Sequence, residues 1–489
     1  MTSVCRLRRQ VQCCRNEFRT FPIPVTNVQV VTERYADLER RISQKSRDKF
    51  SYIRGLSLIT WAATEAEQGS NKMKQGIVIE GGRVFDGTGR TIEKGSVLIQ
   101  GRTISGVGEL AKSDFRKDHL VIHADGMTVL PGLIDCHVHL ASDPTEVNWE
   151  LAFLKQPLIE PPLLALFSYR NAMDCLEAGF TTLRNMESPG ENVGISLRRA
   201  IEMGIVDGPK ILTSGTVTAT GSSIDFDKPT SLPRATGELA DGEDEVRRQV
   251  RERIRRGADF IKTFVSGGIM EPRRIIRRNY TSRELAAIVE ESHAHGLRVA
   301  AHTEGPEGIE MALDAGVDSI EHGFYLSDDN IRNMSTKGTY LVPTLSFLVR
   351  MAQGEIEGVD QIVVEKAKSI LRSFEQYFPR CIKASVKVAM GTDTWRELSA
   401  VKFGGNAYEL ELMVRYGMTE AQALISTTAN AAELLGLDDK IGTLETGKLA
   451  DIVIVNGNPL QDIRILQHRD MIAYVMKEGR IVSARTRGD

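Results

Sequence analysis

Long apolar runs are missing from this sequence. None approaches the roughly 18 residues that a membrane-spanning helix needs, so no membrane is expected as a partner and the chain reads as soluble. A disulfide framework is missing too: six cysteines in 489 residues, three of them crowded at Cys5, Cys13 and Cys14, make no paired pattern. A reducing, cytoplasmic setting is the simpler reading. Nor is there an excess of one charge. A formal net charge of -3 gives no electrostatic reason to expect nucleic acid or an anionic surface as the main partner. What is left is an ordinary globular composition, long enough for more than one domain and a large core.

Residues 1–72 differ in character from the rest. Arg6, Arg8, Arg9, Arg15 and Arg19 crowd the start, and Lys45, Arg47, Lys49 and Arg54 continue the basic bias. Three readings are open for this extension: a targeting segment, a disordered basic arm, or translated upstream sequence with Met73 as the start. The last is favoured, because Met73 is the first methionine after Met1 and the strand pattern begins directly after it.

From Gly76, IVIEGGRVFDGTGRTIEKGSVLIQGRTISGVG alternates β-branched residues with glycine turns, which predicts a small sheet of hairpins. The same idiom returns at Ala450–Val455, Ile472–Val475 and Gly479–Val482. Two strand-rich ends around a long middle predict one β-sandwich assembled from both, with parts at 73–128 and 441–489. The middle, 129–440, alternates short apolar runs with helical stretches, the pattern of repeated β-α units. Eight strands are expected, at 132–136, 181–184, 210–214, 260–264, 298–301, 319–321, 340–343 and 386–390. Thr281 with Glu284, and Thr419 with Gln422, fit the helix capping box. The fold class expected is α/β: a distorted (β/α)8 TIM barrel, whose active site lies at the C-terminal ends of the strands.

The stretch VLPGLIDCHVHL places His137 and His139 two apart at the end of the first barrel strand. Side chains at i and i+2 leave the same face of a strand, and neutral imidazole is the commonest metal ligand. Taken alone, the pair is equally well read as strand-end histidines satisfying hydrogen bonds. The later strands shift the balance: Lys262 lies in the fourth, His302 follows the fifth, His322 the sixth and Asp393 the eighth. Four of only nine histidines thus sit on the functional rim, whereas His119, His123, His293, His295 and His468 scatter elsewhere. A free ammonium has no acceptor lone pair, so a lysine among such residues is either a repelling cation or a modified ligand.

These residues, with the motifs GADFIKTFVSGG, HAHGLRVAAHTEGPEGIEMALDAGVDSIEHG, KGTYLVPTLS and AAELLGLDDKIGTLETGKLADIVIVNGNPL, resemble the amidohydrolase superfamily of metal-dependent hydrolases. The likeness runs from about Gly76 to Val482 and is closest to the branch of imidazolonepropionase-related prolidases and Xaa-amino-acid dipeptidases. The resemblance implies two divalent metal ions, usually zinc: His137, His139 and Asp393 on one, His302 and His322 on the other. Lys262, carboxylated by carbon dioxide, would bridge them. It implies attack on an amide carbonyl by a hydroxide shared between the ions, with Asp393 moving the proton to the leaving amine. The substrate expected is a small molecule, a dipeptide (Xaa-Pro or another Xaa-amino acid) or an N-acyl amino acid, and the assembly a homo-oligomer.

This sequence departs from the branch after the third strand, where many members have Gly-Gly-His and Thr220-Gly221-Ser222-Ser223 stands instead. After the fourth strand, Arg273, Arg274, Arg277 and Arg278 are candidates to clamp a substrate carboxylate. Tyr325, three residues past His322, is a further candidate contact. Two rival functions are kept. One is a mononuclear cyclic-amide hydrolase or deaminase, against which Lys262 argues; the other is a non-catalytic scaffold, against which the six intact ligand positions argue.

Overall fold

The computed structural model describes residues 76–110, 115–146, 148, 155, 158–186, 192–222, 239–270, 277–395 and 402–485. The basic extension, Arg273, Arg274 and Ser223 lie outside them. Strands β1 (Ile77–Phe85), β2 (Thr91–Gln100), β3 (Thr103–Gly108), β4 (Leu120–His123) and β5 (Met127–Pro131) come first. Barrel strands β6 (Leu133–Val138), β7 (Phe180–Asn185), β8 (Lys210–Val217), β9 (Phe260–Phe264), β10 (Val299–Thr303), β11 (Ser319–His322) and β12 (Tyr340–Val342) follow, and β13 (Ile452–Asn456), β14 (Ile472–Lys477) and β15 (Arg480–Ala484) end the chain.

The first five and last three strands form one mixed sheet, ordered β15-β14-β13-β5-β1-β2-β3 with β4 beside β1. Its two chain ends meet where β13 runs antiparallel to β5, Ile452 opposite Pro131 and Val455 opposite Thr128. A separate hydrophobic cluster, including Ile79, Val97, Ile99, Val129 and Ile454, fills this sheet. One residue beyond β5 the chain enters the barrel, so the sheet fixes where β6 begins.

The barrel sheet is parallel and ordered β12-β11-β10-β9-β8-β7-β6. Every residue of β6, β7, β9 and β11 is buried, as expected of parallel strands covered on both faces, which read as continuous rather than alternating apolar runs. Intervening helices include α1 (Pro161–Glu177), α2 (Val193–Glu202), α3 (Glu243–Arg256), α4 (Ser282–Ala294), α5 (Pro306–Ala315), α6 (Asp328–Lys337), α7 (Leu345–Gln353), α8 (Gln361–Lys383) and α9 (Tyr408–Arg415). In α3, Val246, Gln249, Val250 and Arg253 make the buried stripe, with three acidic residues in the first turn and three arginines in the last to suit the helix dipole. Both capping boxes form, at Thr281/Glu284 and Thr419/Gln422. Among the described residues no helix is long and apolar enough to cross a membrane.

The expected eighth strand, 386–390, is corrected by the structure. That segment forms only isolated parallel bridges, Leu341 to Val388 and Val138 to Thr394. Its ladder is broken because Met390 N–H donates to Ser426 O, outside the barrel, while Cys136 N–H donates to Met390 O. Gly391 explains part of the irregular path: a Cβ there would lie 2.8 Å from His137 Cβ and 2.5 Å from Val342 Cγ1. The closing segment therefore comes nearer to β6 and β12 than a strand with side chains would.

Candidate metal centre

Three of the expected residues converge through backbone bonds alone. Asp393 N–H donates to His137 O at 2.8 Å and His139 N–H to Thr394 O at 3.0 Å, which fastens the end of β6 to the closing segment. Asp393 Oδ1 then lies 3.0 Å from His139 Nε2 and 3.4 Å from His137 Nε2. On its other side His137 Nδ1 is 2.8 Å from Glu321 Oε2. A carboxylate accepts, so Nδ1 carries the hydrogen and the Nε2 lone pair faces the Asp393 oxygen. Burial holds the His137 imidazole well below its ordinary pKa, more than Asp393 raises it. Burial alone would raise Asp393, but His137, the hydrogen bond with His139 and nearby Lys262 bring it below the usual carboxylate range. A neutral imidazole lone pair and a carboxylate oxygen pointed at one another repel unless a cation lies between them. The donor set fits a divalent metal.

The second group comes from β10 and β11. Their register places His302 opposite Glu321 and Thr303 opposite His322. The His302 and His322 ring centroids are 4.5 Å apart, and His322 is 5.1 Å from His137. His322 Nδ1 lies 2.8 Å from Thr344 Oγ1, just past β12. His302 Nε2 is buried without a hydrogen-bond partner, with Glu304 Oε1 3.7 Å away. Both histidines are held well below the ordinary pKa, by burial first, and then by Lys262 at His302 and by the neighbouring histidines at His322. The nitrogens of His302 and His322 and an oxygen of Glu304 can reach a common ion. Gly268 leaves that space open, since a Cβ there would lie 3.3 Å from both Glu304 Oε1 and His302 Nε2.

Lys262, in the middle of β9, is only 1% exposed, and its Nζ stands 5.1 Å above the Phe264 ring. It opposes Ala300 in β10, two residues before His302. The six expected ligand positions thus gather at one end of the barrel. The expected substrate contacts do not all join them. Arg277 and Arg278 are exposed, Arg278 Nε lying 3.6 Å from Glu307, and Tyr325 packs half-buried against the main core.

Three residues near the centre are not among those singled out by motif. Glu321 holds His137 and also accepts from Arg184 Nη2 at 2.8 Å, and Arg184 Nε donates to Cys136 O at 2.6 Å. Thr344 orients His322. Glu304 repeats, two residues after His302, the spacing of His137 and His139, and that repetition is a signal a motif reading can use. The backbone is unusual at these points: His322, Tyr325, Thr344 and Asp393 have positive φ, at 69°, 69°, 49° and 55°. Non-glycine residues held there cost on the order of 1–3 kcal/mol each and cluster at functional sites.

Comparison with known proteins agrees with this geometry. The Amidohydrolase family profile matches residues 128–482. Ochratoxinase of Aspergillus niger is 31% identical over 430 residues, covering 83% of this chain and 86% of that protein. Imidazolonepropionase of Geobacillus kaustophilus is 26% identical, covering 80% and 90%. A crystal structure of a Xaa-Pro dipeptidase with methionine bound in the active site superposes with a TM-score of 0.73 at 32% identity, covering 84% of this chain and all of that one. The chain belongs to the amidohydrolase family, in the branch of the imidazolonepropionase-related prolidases, and is a hydrolase of carbon-nitrogen bonds of the amide or peptide kind.

Proposed function

We propose that this protein hydrolyses the amide bond of a dipeptide or an N-acyl amino acid, using two zinc ions held at the end of the barrel. His137, His139 and Asp393 would hold one ion and His302 and His322 the other. Lys262 would lie between them as a carbamate, formed when its neutral amine adds to carbon dioxide and loses a proton. The observation that carries this reading is the convergence of two imidazole nitrogens on Asp393 Oδ1, with Glu321 fixing the His137 tautomer from behind. Bound divalent ions polarise a carbonyl and lower the pKa of water to about 7 in favourable cases.

The protein's own groups do the rest. Asp393, kept ionised by His137 and His139, takes a proton from the attacking water and returns it to the departing amine nitrogen. Glu321 and Thr344 hold His137 and His322 in the orientation each needs. A small-molecule substrate, and a symmetric homo-oligomer in the cytoplasm, are the accompanying expectations.

The test is hydrolysis of a panel of dipeptides and N-acyl amino acids by protein grown with zinc and bicarbonate. Release of a free amino acid, abolished by a chelator and restored by zinc, is expected. Metal-loaded protein that opens cyclic amides or deaminates, and leaves the whole panel intact, would overturn the proposal.

A further inference from the structure

A cleft open to solvent adjoins the centre, lined by Phe347, Arg350, Ile356, Trp395 and the Thr392–Thr394 segment, Asp393 included. Arg350 stands on α7, one helical turn after Phe347. Its guanidinium lies over the Tyr408 ring, 4.7 Å from the centroid, and its Nη1 donates to Glu355. Its Nε is buried and has no hydrogen-bond partner.

The chemistry of the free edge decides what it would take. A guanidinium offers Nε and Nη2 together along one side, a fork that matches the two oxygens of a carboxylate. Glu355 occupies Nη1, Nε is left without a protein acceptor, and the guanidinium lies over the Tyr408 ring. A buried N–H without an acceptor costs about 1–3 kcal/mol, a cost that a ligand oxygen would remove. Asp393, the group that in the proposed function returns a proton to the departing amine, lines the same cleft. In an α-amino acid the amine and the carboxylate share one carbon, so a single leaving group can offer its amine to Asp393 and its carboxylate to Arg350.

We propose that Arg350 is the anchor for the α-carboxylate of the amino acid on the C-terminal side of the scissile amide, with Phe347, Ile356 and Trp395 receiving its apolar side chain. This deepens the proposed function and rests on it for the direction of cleavage. It assigns the clamp to α7 rather than to the exposed Arg277 and Arg278. Substrates with a free carboxylate and a large apolar C-terminal residue are the class selected.

Two readouts separate this proposal from the function beneath it. The first is kcat/KM for N-acetyl-L-methionine against N-acetyl-L-methioninamide, in the full chain and in Arg350→Met. The acid is expected to be favoured by about 100-fold, the loss in the variant to lie in KM, and the preference to vanish. Arg350→Lys, which keeps the charge without the fork, should recover only part of it. The second is calorimetric binding of L-methionine against L-methioninamide to the metal-loaded protein, which needs no turnover. If discrimination in binding depends on Arg350 while no amide is cleaved, the carboxylate site stands and the proposed reaction falls. If amides are cleaved and the acid preference persists in both folded variants, the Arg350 assignment is overturned. An equal response to acid and amide in the unmodified protein also overturns it.

Discussion

The two halves of the centre are built differently. In the half made by β6 and the closing segment, the His137 side chain has a second attachment and the backbone itself is fastened. His137 is held by Glu321, Glu321 by Arg184, and both His139 and Asp393 by backbone bonds between the two segments. In the half made by β10 and β11, His322 is oriented by Thr344, but His302 Nε2 has no hydrogen-bond partner. The contrast teaches that one subsite is preformed by the barrel itself. The other depends on what lies between the halves, where the proposed function puts Lys262 of β9.

That contrast can be broken deliberately. The largest effect is expected from Lys262→Ala, which should lower kcat by at least about a thousandfold and empty the β10–β11 half while leaving the β6 half able to take metal. Metal content by elemental analysis, read beside activity, distinguishes this from general unfolding. Next comes Glu321→Gln. Weakening the partner of a ligating histidine typically costs 10- to 100-fold in metal affinity, here at the β6 half. The same change leaves the buried Arg184 without its carboxylate, so breaking that pair should also destabilise the protein by about 3–5 kcal/mol. Chelator competition and denaturant titration measure the two consequences separately. Thr344→Val should act on the opposite half, by about tenfold, with stability little changed. If Glu321→Gln and Thr344→Val weaken both halves equally, the two subsites are not built as distinct units.

A smaller effect tests the scaffold behind Thr344. Glu409 accepts from Leu345 N and Ser346 N at the start of α7, at 2.7 and 2.6 Å. Burial raises its carboxyl to about 8, against the opposing pull of the bonds from Ser346 and Leu345. The folded state therefore binds this proton more tightly than the unfolded chain. Stabilisation is complete below about pH 4.5, the ordinary glutamate value, and is lost as pH rises through about 8. Asp135 and Asp451, each pushed to about 6 by burial, contribute in the same direction. Metal-free protein should show a falling Tm between pH 5 and 8, with a shallower fall in Glu409→Gln. An unchanged slope in that variant would remove Glu409 from the account.

Much of the centre is legible in the sequence because it follows strand periodicity. His137 and His139 share a face as i and i+2 residues do, and β9 runs over the residues expected, with Lys262 inside. What is not legible lies where the backbone stops being extended. Glu321 and His322 are adjacent, and strict alternation would send them to opposite faces; a left-handed φ of 69° at His322 interrupts it, and both take part in the centre. Asp393 likewise sits at φ 55°, three residues past the segment expected as the eighth strand. Arg350 is hidden for another reason. Within α7 it looks like the basic residue that often ends a helix, and only the fold shows that it lines one cleft with Asp393.

The most direct measurement is the number of metal ions per chain in protein grown with zinc and bicarbonate, before and after Lys262→Ala. The account predicts close to two ions in the unmodified protein and one at most in the variant, with activity lost in step. Two ions and full activity in Lys262→Ala would contradict it.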